Sequence, residues 1–314
     1  MRVVSLLPSA TEICYELGVE PVGVSHECDY PPAAADVQSL NSVEIDPDGS
    51  PADVDAAVDE AAEDGVYTID DEAFAAADPD LVLTQATCDV CAIDRGVVEA
   101  ALERTGVEAD VIALDVGSLA DLYAAIERIG AALDREERAA AVVEDLRTRV
   151  DAVADRAAGA EATPRVAVLD WLDPVMVAGH WVPEMAELIG AEYGLADPGD
   201  RSTPREWDAV CAYDPEVLVL APCGFELPQT RTHHDAVTDR PGYADLAAVR
   251  TDRVYAMDGH HYVNRGGPRL VDTLEYLAAL GHPDRFDAPP EEAVVSLDGV
   301  ADSGAGTATG ESGP

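Results

Sequence analysis

Eight soft or imidazole side chains stand out in this chain: His26, Cys28, Cys88, Cys91, His180, Cys223, His260 and His261. Thiolate and imidazole are ligands of zinc, iron and copper, and imidazole also coordinates cobalt held in a macrocycle. Cys88-Asp89-Val90-Cys91 has the spacing of a metal half-site or a redox pair. A full zinc site needs a second pair at similar spacing, and none is present. A metal held by Cys28, Cys88, Cys91 and Cys223 is therefore assembled across loops. The alternative for each cysteine is a small buried hydrophobe, and that reading is adopted for Cys14 and Cys211, which fall on helical patterns. His233, His234 and His282 read as surface residues. There is no nucleophile elbow, P-loop or dinucleotide fingerprint. The carboxylates show no spacing that singles out an acid–base pair, so an enzyme is not expected.

The elements that must position these residues alternate strand and helix, and they do so twice. Arg2-Val3-Val4 is echoed by Arg165-Val166-Ala167-Val168-Leu169, and Glu12 to Gly18 by Glu184 to Gly190. Asp78-Pro79-Asp80-Leu81-Val82-Leu83 is echoed by Asp214-Pro215-Glu216-Val217-Leu218-Val219, and Val111 to Asp115 by Val254 to Asp258. The strands are short and nearly all apolar, as parallel strands covered on both faces are. Ser9 and Glu12 have the spacing of a capping box at the start of the first helix. Leu119, Leu122, Ile126, Ile129 and Leu133, then Val143, Leu146, Val150 and Val153, form an apolar stripe at helical spacing.

The expected fold class is α/β: two Rossmann-like lobes, residues 1–133 and 161–288, joined by a single long bridging helix over 134–160. Residues 289–314 are expected to be a disordered acidic tail. In such a fold the ligand lies at the carboxyl ends of the strands. The corresponding loops are Pro8 to Thr11, Ser25 to Tyr30, Gln85 to Cys91, Trp171 to Trp181, Ala221 to Phe225 and Asp258 to Arg265. His26, Cys28, Cys88, Cys91, His180, Trp181 and Cys223 are thereby expected to line one pocket. Trp171 and Trp181 can stack on a flat ring system. Tyr30, Phe225 and Tyr262 can supply apolar walls, and His260 and Arg265 polar contacts. Pro268 stands at the expected first position of the last helix, so Arg269 either holds a ligand anion at that helix start or pairs with a carboxylate.

Arg2-Val3-Val4-Ser5-Leu6-Leu7-Pro8-Ser9-Ala10-Thr11-Glu12 resembles the opening of substrate-binding proteins for cobalamin, haem and ferric siderophores. Val22-Gly23-Val24-Ser25, with Cys28-Asp29-Tyr30-Pro31-Pro32, is similar to the next strand and loop of the cobalamin-binding members. The pattern at Pro79, the bridging helix and Gly266-Gly267-Pro268-Arg269 also match, so the resemblance covers roughly residues 2–283. It implies a class III two-lobed binding protein, a monomer that clamps cobalamin or a related metal chelate and delivers it to an importer with a permease dimer. It also implies docking carboxylates on each lobe, which fall on Glu72 and Asp208. The aromatic residues that cobalamin-binding members use in both lobes are matched by Trp in the second half only. Two other readings remain open: a cytoplasmic metalloprotein or metalloenzyme using the Cys and His residues of the same cleft with zinc or iron, and an intracellular corrinoid carrier.

No apolar run approaches the ~20 residues that span a bilayer. Met1-Arg2 leads straight into the first strand, from which a cytoplasmic protein is expected, or an extracellular one if a leader precedes it. The 314 residues carry 63 acidic and 19 basic side chains, a net charge of -44, with every basic one an arginine. Nucleic acid is excluded as a partner, because phosphate binding needs basic patches. The excess is spread along the chain and reads as the solvation device of a salt-loving protein. Helical circular dichroism is expected to fall when salt drops from molar to about 0.1 M, where the Debye length grows from about 3 to about 10 Å. Full helicity with cooperative melting at the lower salt would overturn this reading.

Overall fold

The structure, a computed structural model, describes residues 1–43, 49–62, 67–86, 93 and 95–297. The first lobe runs β1 (Val3–Ser5), α1 (Pro8–Glu16), β2 (Gly23–Val24), β3 (Asn41–Val43), α2 (Pro51–Ala62), β4 (Tyr67–Ile69), α3 (Asp71–Ala77), β5 (Leu81–Gln85), α4 (Arg95–Thr105) and β6 (Asp110–Leu114). Its sheet has the order β2-β1-β5-β6, with all pairings parallel. Two helices follow, α5 (Leu119–Ala132) and α6 (Glu136–Ala157). The second lobe holds β7 (Val166–Leu172), β8 (Val175–Val177), α7 (Val182–Leu188), β9 (Thr203–Pro204), α8 (Trp207–Tyr213), β10 (Val217–Leu220), α9 (Leu227–Thr232), α10 (Asp235–Thr238), α11 (Ala247–Arg250), β11 (Val254–Met257), α12 (Leu270–Gly281) and β12 (Val294–Ser296). Its sheet order is β12-β11-β10-β7-β8-β9.

The sequence repeat becomes a structural one. β1-β5-β6 and β7-β10-β11 are the same parallel run of neighbours. The Asp-Pro pairs end α3 and α8: Asp78 and Asp214 take left-handed backbone, at φ +42° and +51°, and the proline has no N–H to continue a helix. Arg2 Nε donates to the carbonyls of Ala77 and Asp78, and Arg165 Nε to those of Tyr213 and Asp214. Each guanidinium satisfies carbonyls that a helix end leaves orphaned and sits where the helix dipole favours a cation.

Five expectations are corrected. The apolar stripe from Leu119 to Val153 is two helices, because Asp134 turns the chain with φ +55°. Only α6 bridges the lobes. Its Arg138 Nε donates to the Glu16 carbonyl at the end of α1, while its Arg149 pairs with Asp272 and Glu275 on α12. The loop expected over Trp171 to Trp181 is largely a hairpin, with β8 antiparallel to β7. Residues 289–297 are ordered: Val294–Ser296 pair antiparallel with β11, and Ala293 and Leu297 are buried, because this short apolar run completes the sheet edge. α1 has no capping box; its N-cap is Leu7, and Ser9 and Glu12 are buried inside the helix. His282 is likewise buried rather than at the surface, with Nε2 2.7 Å from the Ile189 carbonyl.

One apolar core joins Ile13 and Leu17 of α1, the inner faces of α5 and α6, Met185 of α7 and Leu274 and Leu277 of α12. The α5–α6 turn is tight because Gly130 lets α6 approach; a Cβ there would overlap the Ala139 methyl. Gly130→Val is expected to destabilise the fold by about 1–3 kcal/mol, the range for overpacking, in urea unfolding at high salt. Gly130→Ala should regain stability when combined with Ala139→Gly, and an additive double variant would refute the contact.

Candidate functional site

The lobes meet in a belt of charged side chains. Glu12, on α1, is 2% exposed and accepts from Arg269, the residue before α12, at 3.1 Å from Nε and 2.5 Å from Nη2. Burial drives the Glu12 carboxyl pKa up, and the Arg269 hydrogen bond only partly offsets it. Its other oxygen, Oε2, is buried with no partner. Gly267 permits this approach, since a Cβ there would press on Glu12 and Ser9. Arg269 also lies between two rings, 4.0 Å from the Tyr30 centroid and 5.4 Å from that of Tyr262.

Beside this pair stands Asp29, in the first-lobe loop after β2. Its Oδ1 accepts from Arg265 Nη1 at 2.6 Å. Its Oδ2 lies 2.9 Å from His260 Nε2, 3.1 Å from His261 Nε2 and 3.1 Å from Arg265 Nη2. Partial burial pushes the Asp29 carboxyl up, but the hydrogen bonds from His260, His261 and Arg265 outweigh it and hold it well below the usual carboxylate range. His260 and His261 lie on a single π-helical turn, Gly259–Val263, capped by Asp258. Asp258 accepts from the His261 backbone N–H and, 2.9 Å away, faces His261 Nδ1. Hydrogen bonds to Asp258 and Asp29 raise the His261 pKa to about 9.

Among the described residues, those expected to share one pocket do not form a ligating cluster with one another. His26 faces the two-stranded β3–β4 sheet, with Nδ1 3.0 Å from Asn41 and its ring tilted against Tyr67. Cys28 is buried inside the first lobe against Thr11 and Ser5, and burial pushes its thiol up to about 12. So placed it packs as a small core side chain. Cys223 is half-buried, and its backbone N–H is held by the Asp170 carbonyl. Cys88 and Cys91 lie outside the described residues. Among the described residues, the group of three or more ligating side chains close enough to hold an ion is Asp29, His260 and His261.

The tryptophans are corrected too. Trp181, 8% exposed, is in the core, where its indole N–H donates to the Val263 carbonyl and its ring packs by Gly266. Trp171 is buried edge-on against Phe225, itself buried. Neither Trp nor Phe225 offers an open face. His180 is half-buried beside Trp181 in left-handed backbone, φ +53°; desolvation, then the charge of Arg201, lowers its pKa. Tyr30 is the aromatic that stays open, 42% exposed. Arg269 does not hold the start of a helix open for an anion, because Glu12 already occupies it. Glu72 and Asp208 are exposed in the first turns of α3 and α8, the matched helices of the repeat. Sequence reading gave Glu12, Asp29 and Asp258 no role at the site; among 63 acidic residues, Asp29 and Asp258 were marked only by their loops, and Glu12 on α1 by nothing but a capping-box spacing.

Comparison with known proteins assigns this arrangement. The family model described as periplasmic binding protein matches residues 3–260. An uncharacterized ABC transporter substrate-binding lipoprotein of Bacillus subtilis, YvrC, is 25% identical over 292 residues, covering 91% of this chain and 81% of that protein. A periplasmic heme binding protein from Pseudomonas aeruginosa has the same fold, with a TM-score of 0.70 and 23% identity over 94% of this chain and 97% of that one. The periplasmic vitamin B12 binding protein BtuF of Vibrio cholerae aligns with a TM-score of 0.63 and 22% identity, over 89% of this chain and 95% of that one. The expected cytoplasmic location is overturned: a relative matched along nearly the whole chain is a lipoprotein of the transporter class, which works outside the cytoplasm. No helix among the described residues is long and apolar enough to cross a membrane. Two α/β lobes meeting along α6 and a charged belt, matched by the family model over most of their length, make this chain a member of the periplasmic binding protein family.

Proposed function

We propose that this chain is the substrate-binding protein of a metal-chelate importer and that it takes a flat macrocycle of the corrinoid or porphyrin type between its lobes. The observation that carries the reading is Tyr30. Its ring is backed on one side by the Arg269 guanidinium and remains 42% exposed, while the other aromatics are buried or half-buried. A ring clamped from behind is a rigid stacking platform that loses little entropy on binding. The fold relatives include a heme binding and a vitamin B12 binding protein, which supports this ligand class. Binding and release, without a chemical step, are what such a site supplies. Tyr262, His260 and Arg265 border the same belt and supply the second lobe's contacts.

Delivery would use Glu72 and Asp208, exposed carboxylates at corresponding helix starts, against basic permease residues. Cobalamin and haemin are to be titrated into wild type and Tyr30→Ala at high salt, followed by absorption. The variant is expected to lose about 1–3 kcal/mol of affinity for the bound macrocycle, the scale of an aromatic stack. Glu72→Arg with Asp208→Arg should leave that affinity unchanged and abolish permease-dependent uptake. Absence of micromolar binding of either macrocycle to wild type would overturn the reading.

A further inference from the structure

We propose that Asp29, His260 and His261 form a binding site for a bare divalent transition-metal ion, zinc-like in preference, that ties the first lobe to the second. The site shares His260 with the belt proposed to border the chelate, but does not rest on the identity of that chelate.

The first argument is geometric. Ligand atoms around an ion at about 2.1 Å stand about 3.0–3.4 Å apart, from cis-octahedral to tetrahedral arrangement. Asp29 Oδ2 lies 2.9 Å from His260 Nε2 and 3.1 Å from His261 Nε2. The carboxylate oxygen thus stands at nearly that spacing from both imidazoles, and all three ligand atoms lie within 4.8 Å of one another. Two imidazoles and a carboxylate are a donor set that suits zinc and its neighbours, with positions left for water.

The second argument is the support behind the ligands. Asp258 faces His261 Nδ1 at 2.9 Å and also receives the backbone N–H groups of His261 and Leu227. A carboxylate on the far nitrogen fixes the tautomer and aims Nε2, the arrangement that orients metal-bound histidines. Asp258 is itself nearly fully buried, so this orientation is built into the fold.

The third argument is a conflict that an ion would resolve. His260 Nε2 is 2.9 Å from an Asp29 carboxylate oxygen and 2.5 Å from Arg265 Nη2. That nitrogen cannot donate a proton to Asp29 and also accept one from Arg265. If it accepts from Arg265, two acceptors face each other; if it donates to Asp29, two donors collide. A metal ion between His260 Nε2 and Asp29 Oδ2 turns the acceptor pair into two ligands. Arg265 keeps Asp29 Oδ1 at 2.6 Å and the Glu27 carbonyl at 3.2 Å, and has room to shift toward Glu12, whose Oε1 is 3.6 Å from Nη1 and whose buried Oε2 has no hydrogen-bond partner among the described residues. The guanidinium is the resident cation, and the ion would displace it toward Glu12.

The test uses the full chain, stripped with EDTA and titrated with zinc chloride by calorimetry in high sodium chloride, with cobalt(II) absorption as the spectroscopic check. One zinc per chain is expected, with cobalt showing ligand-field bands of an imidazole-containing site. His260→Gln with His261→Gln, which leaves every carboxylate in place, should abolish this binding. Asp258→Asn should weaken it about 10–100-fold, as loss of an orienting carboxylate does. Arg265→Gln should tighten it about tenfold, the scale of a competing charge contact. Absence of stoichiometric binding, binding that survives in the double histidine variant, or weaker binding in Arg265→Gln would each overturn the proposal. Macrocycle titration of the metal-free wild type keeps this outcome distinguishable from failure of the chelate reading.

Discussion

A carboxylate that is 2% exposed cannot stand alone, and the organisation of this molecule depends on how Glu12 is paired. Its partner Arg269 comes from the other lobe, more than 250 positions along the chain. Removing one member of a buried ion pair leaves an uncompensated charge and costs several kcal/mol, whereas the intact pair adds little net stability. Its main effect is therefore to specify geometry. The pair fixes where the start of α12 lies against α1, and the small side of Gly267 is required for that approach. Arg269 in turn backs Tyr30, and the same loop delivers Asp29 to the histidine turn.

The two lobes solve one folding problem twice. In each, an arginine before the first parallel strand caps the helix that precedes the second, and an aspartate in left-handed backbone ends that helix. The solutions diverge at the edges. The second lobe adds antiparallel strands on both sides of its parallel run, and the β7–β8 hairpin pulls Trp171 into the core. The aromatic surface accordingly sits on the first lobe, the one without tryptophan.

The fold was legible because it rests on periodicity and repetition: matched Asp-Pro pairs, apolar strands and a helical stripe are all local signals. What failed was subtler. Asp134 breaks the stripe through a backbone conformation that aspartate tolerates, and no composition signal marks it. Val294 and Val295 are too short a run to announce a strand beside a polar tail. At the site, residue type misled. Cysteine and tryptophan drew attention, yet Cys28, Trp171 and Trp181 are core residues. The carboxylates that organise the belt were hidden among 63 acidic residues, and only long-range pairing distinguishes them.

The unbroken core from α1 through α6 to α12 bears on how an importer would sense occupancy. α6 is 22 residues long, about 33 Å at 1.5 Å per residue, and it is anchored at one end to α1 and at the other to α12. It acts as a ruler between the lobes. A rigid α6 would hold helices α3 and α8, at matched places on either side of it, at a nearly constant separation whether the cleft is full or empty. A permease that gripped only those two points would feel the same spacing in both states. Loaded and empty carriers would then be told apart at the mouth of the cleft, by the surface the cargo itself presents there, and not by how far apart the two handholds lie.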